Sequence, residues 1–122
     1  MVYVLKCNDW YKIGVAKDVK RRISEISTGN PYSLSTVLTI DTMDKDIYWE
    51  GRFHSYFGNK GRARVREWFK LINEDIMFLR QAKDLIEWGD VEDMSSNNAT
   101  ILCKDFREYQ AKLEERDRIR AL

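Results

Sequence analysis

The first part of the chain carries side chains that suit phosphate chemistry. Tyr3 and Tyr11 lie on two short apolar runs, and Arg22 follows in a basic segment. A phenol can take a proton from water, and a guanidinium can hold a phosphate with two hydrogen bonds. Both residue types also have common structural roles. Tyrosines on strands usually pack in the core, and an arginine at the edge of a helix usually extends its charged end into solvent. A role in phosphate chemistry requires these groups on one face of the fold.

Two further residues bear on the same chemistry. Glu50 lies in a segment whose other residues pack, and it is either a solvated residue paired with His54 or a ligand for a hard divalent cation. Its position alone favours the solvated residue. Lys12 precedes Ile13-Gly14 and is an exposed strand charge, a fixed cation near a ligand, or a base if it is desolvated.

A β-hairpin and a basic helix must position these groups. Two apolar runs within residues 2–14 flank the turn-forming pair Asn8-Asp9, which is typical of a hairpin. Asp18 is a suitable N-cap for a helix over about residues 19–28. Every third or fourth residue of that helix is apolar, which predicts one buried stripe.

A third strand and a second helix are predicted next. Residues 33–40 are rich in β-branched residues and indicate a strand. A helix then starts at Thr42 or Asp44 and reaches roughly Phe57, with Gly58 as the first residue past its end. Its apolar face is expected to consist of Ile47, Phe53, Tyr56 and Phe57.

The segment that follows is strongly basic. Residues 59–66 predict a loop, and residues 67–71 a short strand or extended return. Alternating arginines would share one side of an extended segment and form a ridge that tracks phosphates, while a solvated loop is the alternative. These arginines are Arg62, Arg64 and Arg66.

The rest of the chain predicts a third helix, a linker and a fourth helix. Asn73 caps a helix that runs to about Trp88, with acidic residues in its first turn. We therefore divide the chain into an α+β domain over residues 1–89, an acidic linker over 90–99 and a C-terminal helix over 100–122. That last helix has a single apolar seam, so it packs on its own domain or forms a homodimer.

Composition narrows the class of protein. The 122 residues are 43% hydrophobic and 34% charged, which is typical of a globular chain, and no apolar run is long enough for a membrane span. Two distant cysteines favour a reducing, cytoplasmic location and exclude a CxxC zinc pattern. Residues 1–72 hold 13 basic against 8 acidic residues, while residues 73–122 hold 8 against 12. The front portion is thus the part suited to nucleic acid.

The order of these motifs resembles the KIG-type branch of the GIY-YIG nuclease superfamily. The motifs are Tyr3 within Val-Tyr-Val, Lys12-Ile13-Gly14, Arg22 on a basic helix, Glu50 and His54 on a second helix, and Glu67-Trp68-Phe69. The resemblance covers roughly residues 1–75. It implies a small three-stranded antiparallel sheet flanked by helices, and suits an intracellular, phage-encoded protein.

The resemblance also implies a reaction. It is hydrolysis of phosphodiester bonds in nucleic acid, DNA in the first place, with one bound Mg²⁺ or Mn²⁺. Tyr3 would match the tyrosine of the first half-motif, Arg22 the phosphate-binding arginine, and Glu50 the metal carboxylate. Lys12 stands where the second half-motif usually has its tyrosine, and Tyr11 precedes it, on the opposite sheet face.

Two questions stay open at this point. Tyr3 is the first choice for the base and Lys12 the second, with Tyr11 the other phenol of the hairpin. Because the second motif tyrosine is replaced, a catalytically inactive protein that binds nucleic acid or a protein partner is the alternative to a nuclease. Contacts to the nucleic-acid backbone are expected from Lys20, Arg21, His54 and the three alternating arginines.

Overall fold

The computed structural model describes residues 1–28, 32–89 and 118. The predicted linker, C-terminal helix and homodimer seam lie outside these residues, apart from Arg118. In the described part the elements are, in order, β1 Val2–Cys7, β2 Trp10–Val15, α1 Val19–Ser27, β3 Ser35–Ile40, α2 Asp46–Asn59, β4 Arg64–Val65, β5 Trp68–Lys70 and α3 Asn73–Glu87. The strands form one antiparallel sheet in the order β3-β1-β2-β5-β4, which confirms the α+β class.

The chain divides into two compact units. The first, Met1–Asn73, holds the whole sheet together with α1 and α2, and the second begins at Glu74. In α3, the apolar residues Phe78, Leu79 and Ile86 are buried. All the candidate site residues proposed above belong to the first unit.

The first hairpin forms as predicted. Cys7 pairs with Trp10 across the turn at Asn8-Asp9, and Asn8 takes a positive φ of 54°. Asparagine tolerates this left-handed backbone conformation better than most residues, which is why it occurs in tight hairpin turns. The register then pairs Tyr3 with Gly14.

The prediction of a three-stranded sheet is wrong, because two residues of the expected basic loop form a strand. This strand, β4, makes a second hairpin with β5, which lies in the segment predicted as a short strand or extended return. Val65 of β4 pairs with Trp68 of β5 around a two-residue turn, in which Arg66 has a φ of 54°. Arg66 is not a typical turn residue, so the turn carries no sequence signal. β5 adds to the edge of β2, where Lys12 pairs with Trp68.

The helix α1 follows its prediction closely. The Oδ1 atom of Asp18 accepts a hydrogen bond from the backbone N–H of Arg21 at 3.1 Å, which is the N-cap arrangement. The predicted stripe of Val19, Ile23 and Ile26 is half-buried, while its neighbours on the helix are exposed.

The helix α2 differs from its prediction at both ends. It begins at Asp46 and not at Thr42 or Asp44, because Asp44 and the residue before it have positive φ angles of 73° and 50°. Gly58 lies inside the helix, and Gly61 is the glycine with a positive φ, 76°, beyond its end.

The apolar face of α2 is also rotated from the expected one. Ile47 is 81% exposed, whereas Trp49, Phe53 and Phe57 are buried. The Phe57 ring lies 6.0 Å from the ring of Phe69 on β5, so α2 packs on the face of the sheet that carries Phe69.

A close cross-strand contact fixes the position of Tyr3. Tyr3 is 1% exposed, and a Cβ atom added to Gly14 would lie 2.4 Å from its hydroxyl oxygen and 2.6 Å from the adjoining ring carbon. Gly14 therefore has no room for a side chain. The ring of Tyr3 is therefore what requires glycine at this position.

We predict that Gly14→Ala destabilises the protein by about 1–3 kcal/mol, because the buried Tyr3 ring must move to admit a methyl group. Gly58→Ala is the matched control. Nothing lies within 4 Å of a Cβ atom at that helical position, so alanine should stabilise the protein by about 0.5–1 kcal/mol. Urea unfolding measures both changes, and a Gly14→Ala protein as stable as the parent would contradict the packing described.

Candidate active site

Tyr3 and Arg22 form the first part of the candidate site. The guanidinium of Arg22 lies near the Tyr3 hydroxyl, and this hydroxyl is the main cause of a raised pKa at Arg22. A second partner is Glu25, whose Oε2 atom lies 3.3 Å from Nη1 of Arg22. Arg22 is thus a permanent cation held over a phenolic oxygen. Its exposed position leaves it accessible to a phosphate.

Lys12 and Glu67 form the second part. The Nζ atom of Lys12 donates to Oε2 of Glu67 at 2.8 Å, and the Lys12 side chain is only 12% exposed. The hydrogen bond from Lys12 is the main cause that lowers the pKa of Glu67, against the opposing effect of burial. An ammonium in an ion pair is a poor base, because it must lose its partner to lose a proton. This geometry therefore suits Lys12 as a fixed positive charge.

Glu50 has a different environment. It is half-buried on α2, and within the described residues it makes no hydrogen bond or ion pair. Burial is the main cause that raises its pKa, and the charge of Glu67 adds to this, while His54 and Lys12 oppose it. A carboxylate that is partly desolvated, repelled by another carboxylate and not hydrogen-bonded is poised to bind a cation.

His54 connects α2 to the sheet. Its Nε2 atom lies 2.9 Å from the carbonyl oxygen of Ile13, so Nε2 carries the proton. Its Nδ1 atom lies 3.5 Å from Nη2 of Arg64, which donates. Both nitrogens therefore have partners within the chain. This leaves His54 better suited to position α2 than to contact nucleic acid.

Electrostatic effects link the two parts of the site. His54 and Arg22 both lower the pKa of Glu67 through their charges, so both lie near this carboxylate. We use the name polar cluster for Tyr3, Lys12, Arg22, Glu50 and Glu67. It draws residues from β1, β2, α1 and α2, and from the turn before β5. Sequence reasoning did not propose Glu67 as a site residue, although it stands in the matched Glu-Trp-Phe motif.

Tyr11 is not brought to the polar cluster. It pairs with Lys6 on β1 and with Phe69 on β5, and successive residues of a strand point to opposite faces. Tyr11 therefore shares the α2 face of the sheet with Phe69, away from Lys12. The Nζ atom of Lys6 lies 5.7 Å from the centre of its ring. As predicted, the two neighbours Tyr11 and Lys12 serve different faces.

The predicted ridge of alternating arginines does not form as an extended segment. Only Arg64 lies in a strand, and Arg66 turns the chain with its positive φ. The Nε atom of Arg64 donates to the carbonyl oxygen of Arg66 at 2.5 Å, and its guanidinium lies 4.9 Å from the centre of the Phe69 ring. Arg62 is half-buried, so the three arginines do not present one row of charges.

On α1, the predicted backbone contacts are accessible. Lys20 and Arg21 are both exposed, and Nε of Arg21 lies 3.4 Å from Oε1 of Glu25. Exposed ion pairs of this kind contribute little and exchange readily with a phosphate. The two residues remain candidates for contacts with a nucleic-acid backbone.

The site fits a metal held by a single carboxylate. Across the described residues, no three His, Cys, Asp or Glu side chains are grouped to hold an ion, so an all-protein cage is not available there. Mg²⁺ commonly takes one or two carboxylates and completes its shell with water and phosphate oxygens. The unpaired, half-buried carboxylate of Glu50 meets that requirement.

The described part of the chain is thus a small α+β domain that brings charged and phenolic side chains from several elements close together. The model of the T5orf172 domain family matches residues 1–89. The chain therefore belongs to this family, whose fold is GIY-YIG-like and nuclease-associated, and which indicates a nucleic-acid-related role. No curated protein and no solved structure gives a significant match. None of the helices in the described part is both long and apolar enough to cross a membrane.

Glu50→Gln should raise the stability of the metal-free protein at pH 7, by less than about 1 kcal/mol because the group is partly exposed. Burial raises the folded-state pKa of Glu50 above its ordinary value of 4.5, so the ionised form weakens the fold above that folded-state pKa. The gain should disappear in acid below 4.5, where the carboxyl is protonated in both states. Thermal unfolding at the two pH values tests this, and a loss of stability at pH 7 would contradict it.

Glu67→Gln should have the opposite effect. The pKa of Glu67 is lowered in the folded state, so its ion pair stabilises the fold above the ordinary value of 4.5. That stabilisation is lost as the pH falls through the folded-state pKa. We expect the variant to lose up to about 1 kcal/mol at pH 7 and nothing in acid. In a double-mutant cycle with Lys12→Met, the double variant should lose less stability than the sum of the losses in the two single variants.

Proposed function

We propose that this protein is a nuclease that hydrolyses phosphodiester bonds in nucleic acid, DNA in the first place, with Mg²⁺ or Mn²⁺. The observation that carries the proposal is the polar cluster. In it a phenol, two cations and a carboxylate that has no hydrogen-bond partner among the described residues come from separate elements to one neighbourhood. Membership of a nuclease-associated family supports the same conclusion.

Arg22 and Tyr3 act as a pair in this proposal. Arg22 is exposed and cationic, so it binds a non-bridging phosphate oxygen and offsets the charge that builds there in the transition state. Its cation lies near the phenolic oxygen of Tyr3 and favours negative charge there during the reaction, so the phenolate of Tyr3 serves as the base. The phenolate takes a proton from water as the water oxygen bonds to phosphorus and the leaving oxygen departs.

Lys12 supplies a second fixed cation. Its ammonium is held by Glu67 at 2.8 Å and lies two residues from Gly14 on β2, on the face that carries Tyr3. It is therefore positioned to bind the phosphate and not to remove a proton. This assignment gives a role to the lysine that replaces the second tyrosine of the motif.

Glu50 would hold the divalent cation, which supplies Lewis-acid stabilisation of charge on the phosphate and the leaving oxygen. The carboxylate must be ionised for this purpose. Because burial raises the pKa of Glu50, ionisation is lost at a higher pH than for a solvated glutamate. As the pH is lowered, cleavage should therefore decline at a higher pH than in a variant in which the pKa of Glu50 has its ordinary value.

A nucleic-acid-binding protein without turnover is the second candidate. The observation that favours it is that both cations already have acidic partners in the chain, Arg22 with Glu25 and Lys12 with Glu67. Such pairs lower the positive charge offered to a phosphate. The two candidates agree on binding and differ only in cleavage.

A cleavage assay separates them. Plasmid DNA and single-stranded DNA are incubated with the protein and Mg²⁺ or Mn²⁺, and the products are resolved on gels. The wild-type protein should cleave, and Arg22→Ala and Glu50→Ala should each lose roughly 10²- to 10³-fold in rate. Tyr3→Phe should lose a comparable amount, since it removes only the hydroxyl.

Arg52→Ala is the matched control. Arg52 lies on α2 two residues after Glu50, so it points away from that carboxylate, and its guanidinium lies 5.3 Å from the centre of the Tyr48 ring. Its removal should leave the rate unchanged. Full binding with no cleavage by the wild type under either metal would favour the second candidate and overturn the nuclease proposal.

A further inference from the structure

The strand register places two tryptophans and two lysines on one face of the sheet. Lys12 pairs with Trp68, and Trp10 pairs with Lys70. Paired residues in an antiparallel sheet point to the same face, and so do residues two apart on one strand. The four side chains therefore alternate, tryptophan beside lysine, on the face opposite to Tyr11 and Phe69.

A groove lies at this end of the sheet. Its volume is about 370 Å³, and its lining consists of Cys7, Asn8, Trp10, Tyr32, Val65 and Trp68. We call it the aromatic groove. Its volume falls within the range of about 300–1,000 Å³ that is usual for small-molecule sites. Tyr32 and Val65 are 60% and 59% exposed, so large apolar surfaces here face solvent.

Positive charge borders the aromatic groove. The Nζ atom of Lys12 lies 5.7 Å from the centre of the Trp68 ring, and Lys70 is exposed next to Trp10. Aromatic rings with interleaved cations suit one ligand in particular, a nucleotide, whose base stacks on the rings and whose phosphates meet the cations. An apolar peptide or lipid would gain nothing from the lysines.

Lys12 also connects the aromatic groove to the polar cluster. It contacts Trp68 on one side, and its ammonium is bonded to Glu67 of the cluster on the other. A strand whose phosphate lies at Arg22 could thus place a neighbouring base in the groove. A tryptophan can stack on such a base only if the base is out of a duplex stack.

We infer that the aromatic groove binds an unpaired nucleobase, so that the substrate is single-stranded or locally unpaired nucleic acid. The inference rests on the proposed function for the position of the phosphate. Its test uses binding alone, so that it can fail or succeed independently of cleavage.

The experiment measures binding by the full chain carrying Glu50→Gln, without divalent cation, using fluorescence anisotropy. The probes are a labelled thymidine oligonucleotide of about 12 nucleotides, a strand of equal length with abasic sites, and a duplex. The abasic strand keeps every phosphate but has no bases to stack. We expect the thymidine strand to bind about tenfold more tightly than either of the other two.

Substitutions then locate the effect. Trp10→Ala and Trp68→Ala should each remove most of the tenfold preference, while Trp10→Phe and Trp68→Phe should keep it, since phenylalanine still stacks. The phenylalanine variants also guard against loss of folding, which circular dichroism monitors. Trp88→Ala is the matched control, because Trp88 is an exposed tryptophan that does not line the groove. It should change nothing.

The outcomes separate the two proposals. Equal binding of thymidine and abasic strands, equal binding of the duplex, or a preference that survives both alanine substitutions would overturn the inference. A preference that depends on Trp10 and Trp68 supports it, even if the wild-type protein fails to cleave DNA. If the protein cleaves DNA but shows no preference for the thymidine strand, the proposed function stands and the aromatic groove has no part in it.

Discussion

The contact between Tyr3 and Gly14 is the constraint on which the site depends. With no side chain at Gly14, the Tyr3 ring lies across the neighbouring strand, and its hydroxyl lies near Arg22 on α1. The same face of β2 carries Lys12 two residues earlier, so the register that buries the phenol also fixes the place of the ammonium. Any side chain at Gly14 would displace the phenol from its position near Arg22.

The edge of the sheet at Ile13 brings the acidic groups to this face. The backbone N–H of Ile13 donates to the carbonyl oxygen of Glu67 at 3.3 Å, while its own carbonyl is bonded to His54. β5 is therefore paired with β2 only as far as Lys12. Beyond that point, His54 of α2 bonds to the edge of β2 through the carbonyl of Ile13. This change of partner brings Glu50 and Glu67 near one lysine. Glu67 receives the hydrogen bond, and Glu50 keeps an unsatisfied charge that is costly to the fold and useful to a cation.

The features of the fold that depend on residues close together in the chain could be predicted from the sequence. The turn at Asn8-Asp9, the cap at Asp18 and the opposite faces of Tyr11 and Lys12 depend on neighbouring residues or on the period of a strand, and all three are as expected. The second hairpin depends on β5 pairing with a strand 55 residues away, as in the bond from Lys12 to Glu67, and no local pattern reports such a partner. Glu67 was overlooked as a site residue for the same reason.

The exchange of a motif tyrosine for Lys12 changes what this face can do. A tyrosine there would offer a second hydroxyl, whereas the lysine offers a charge that is already fixed by Glu67 and lies against the ring of Trp68. In the proposed reaction Tyr3 then serves as the base and Lys12 as a cation. The same ammonium lies against a ring of the aromatic groove, so in the proposed arrangement one residue joins the phosphate site to the base site. A duplex cannot use both places without opening, and this constraint makes the state of the base, paired or unpaired, the property to which this site should respond most strongly.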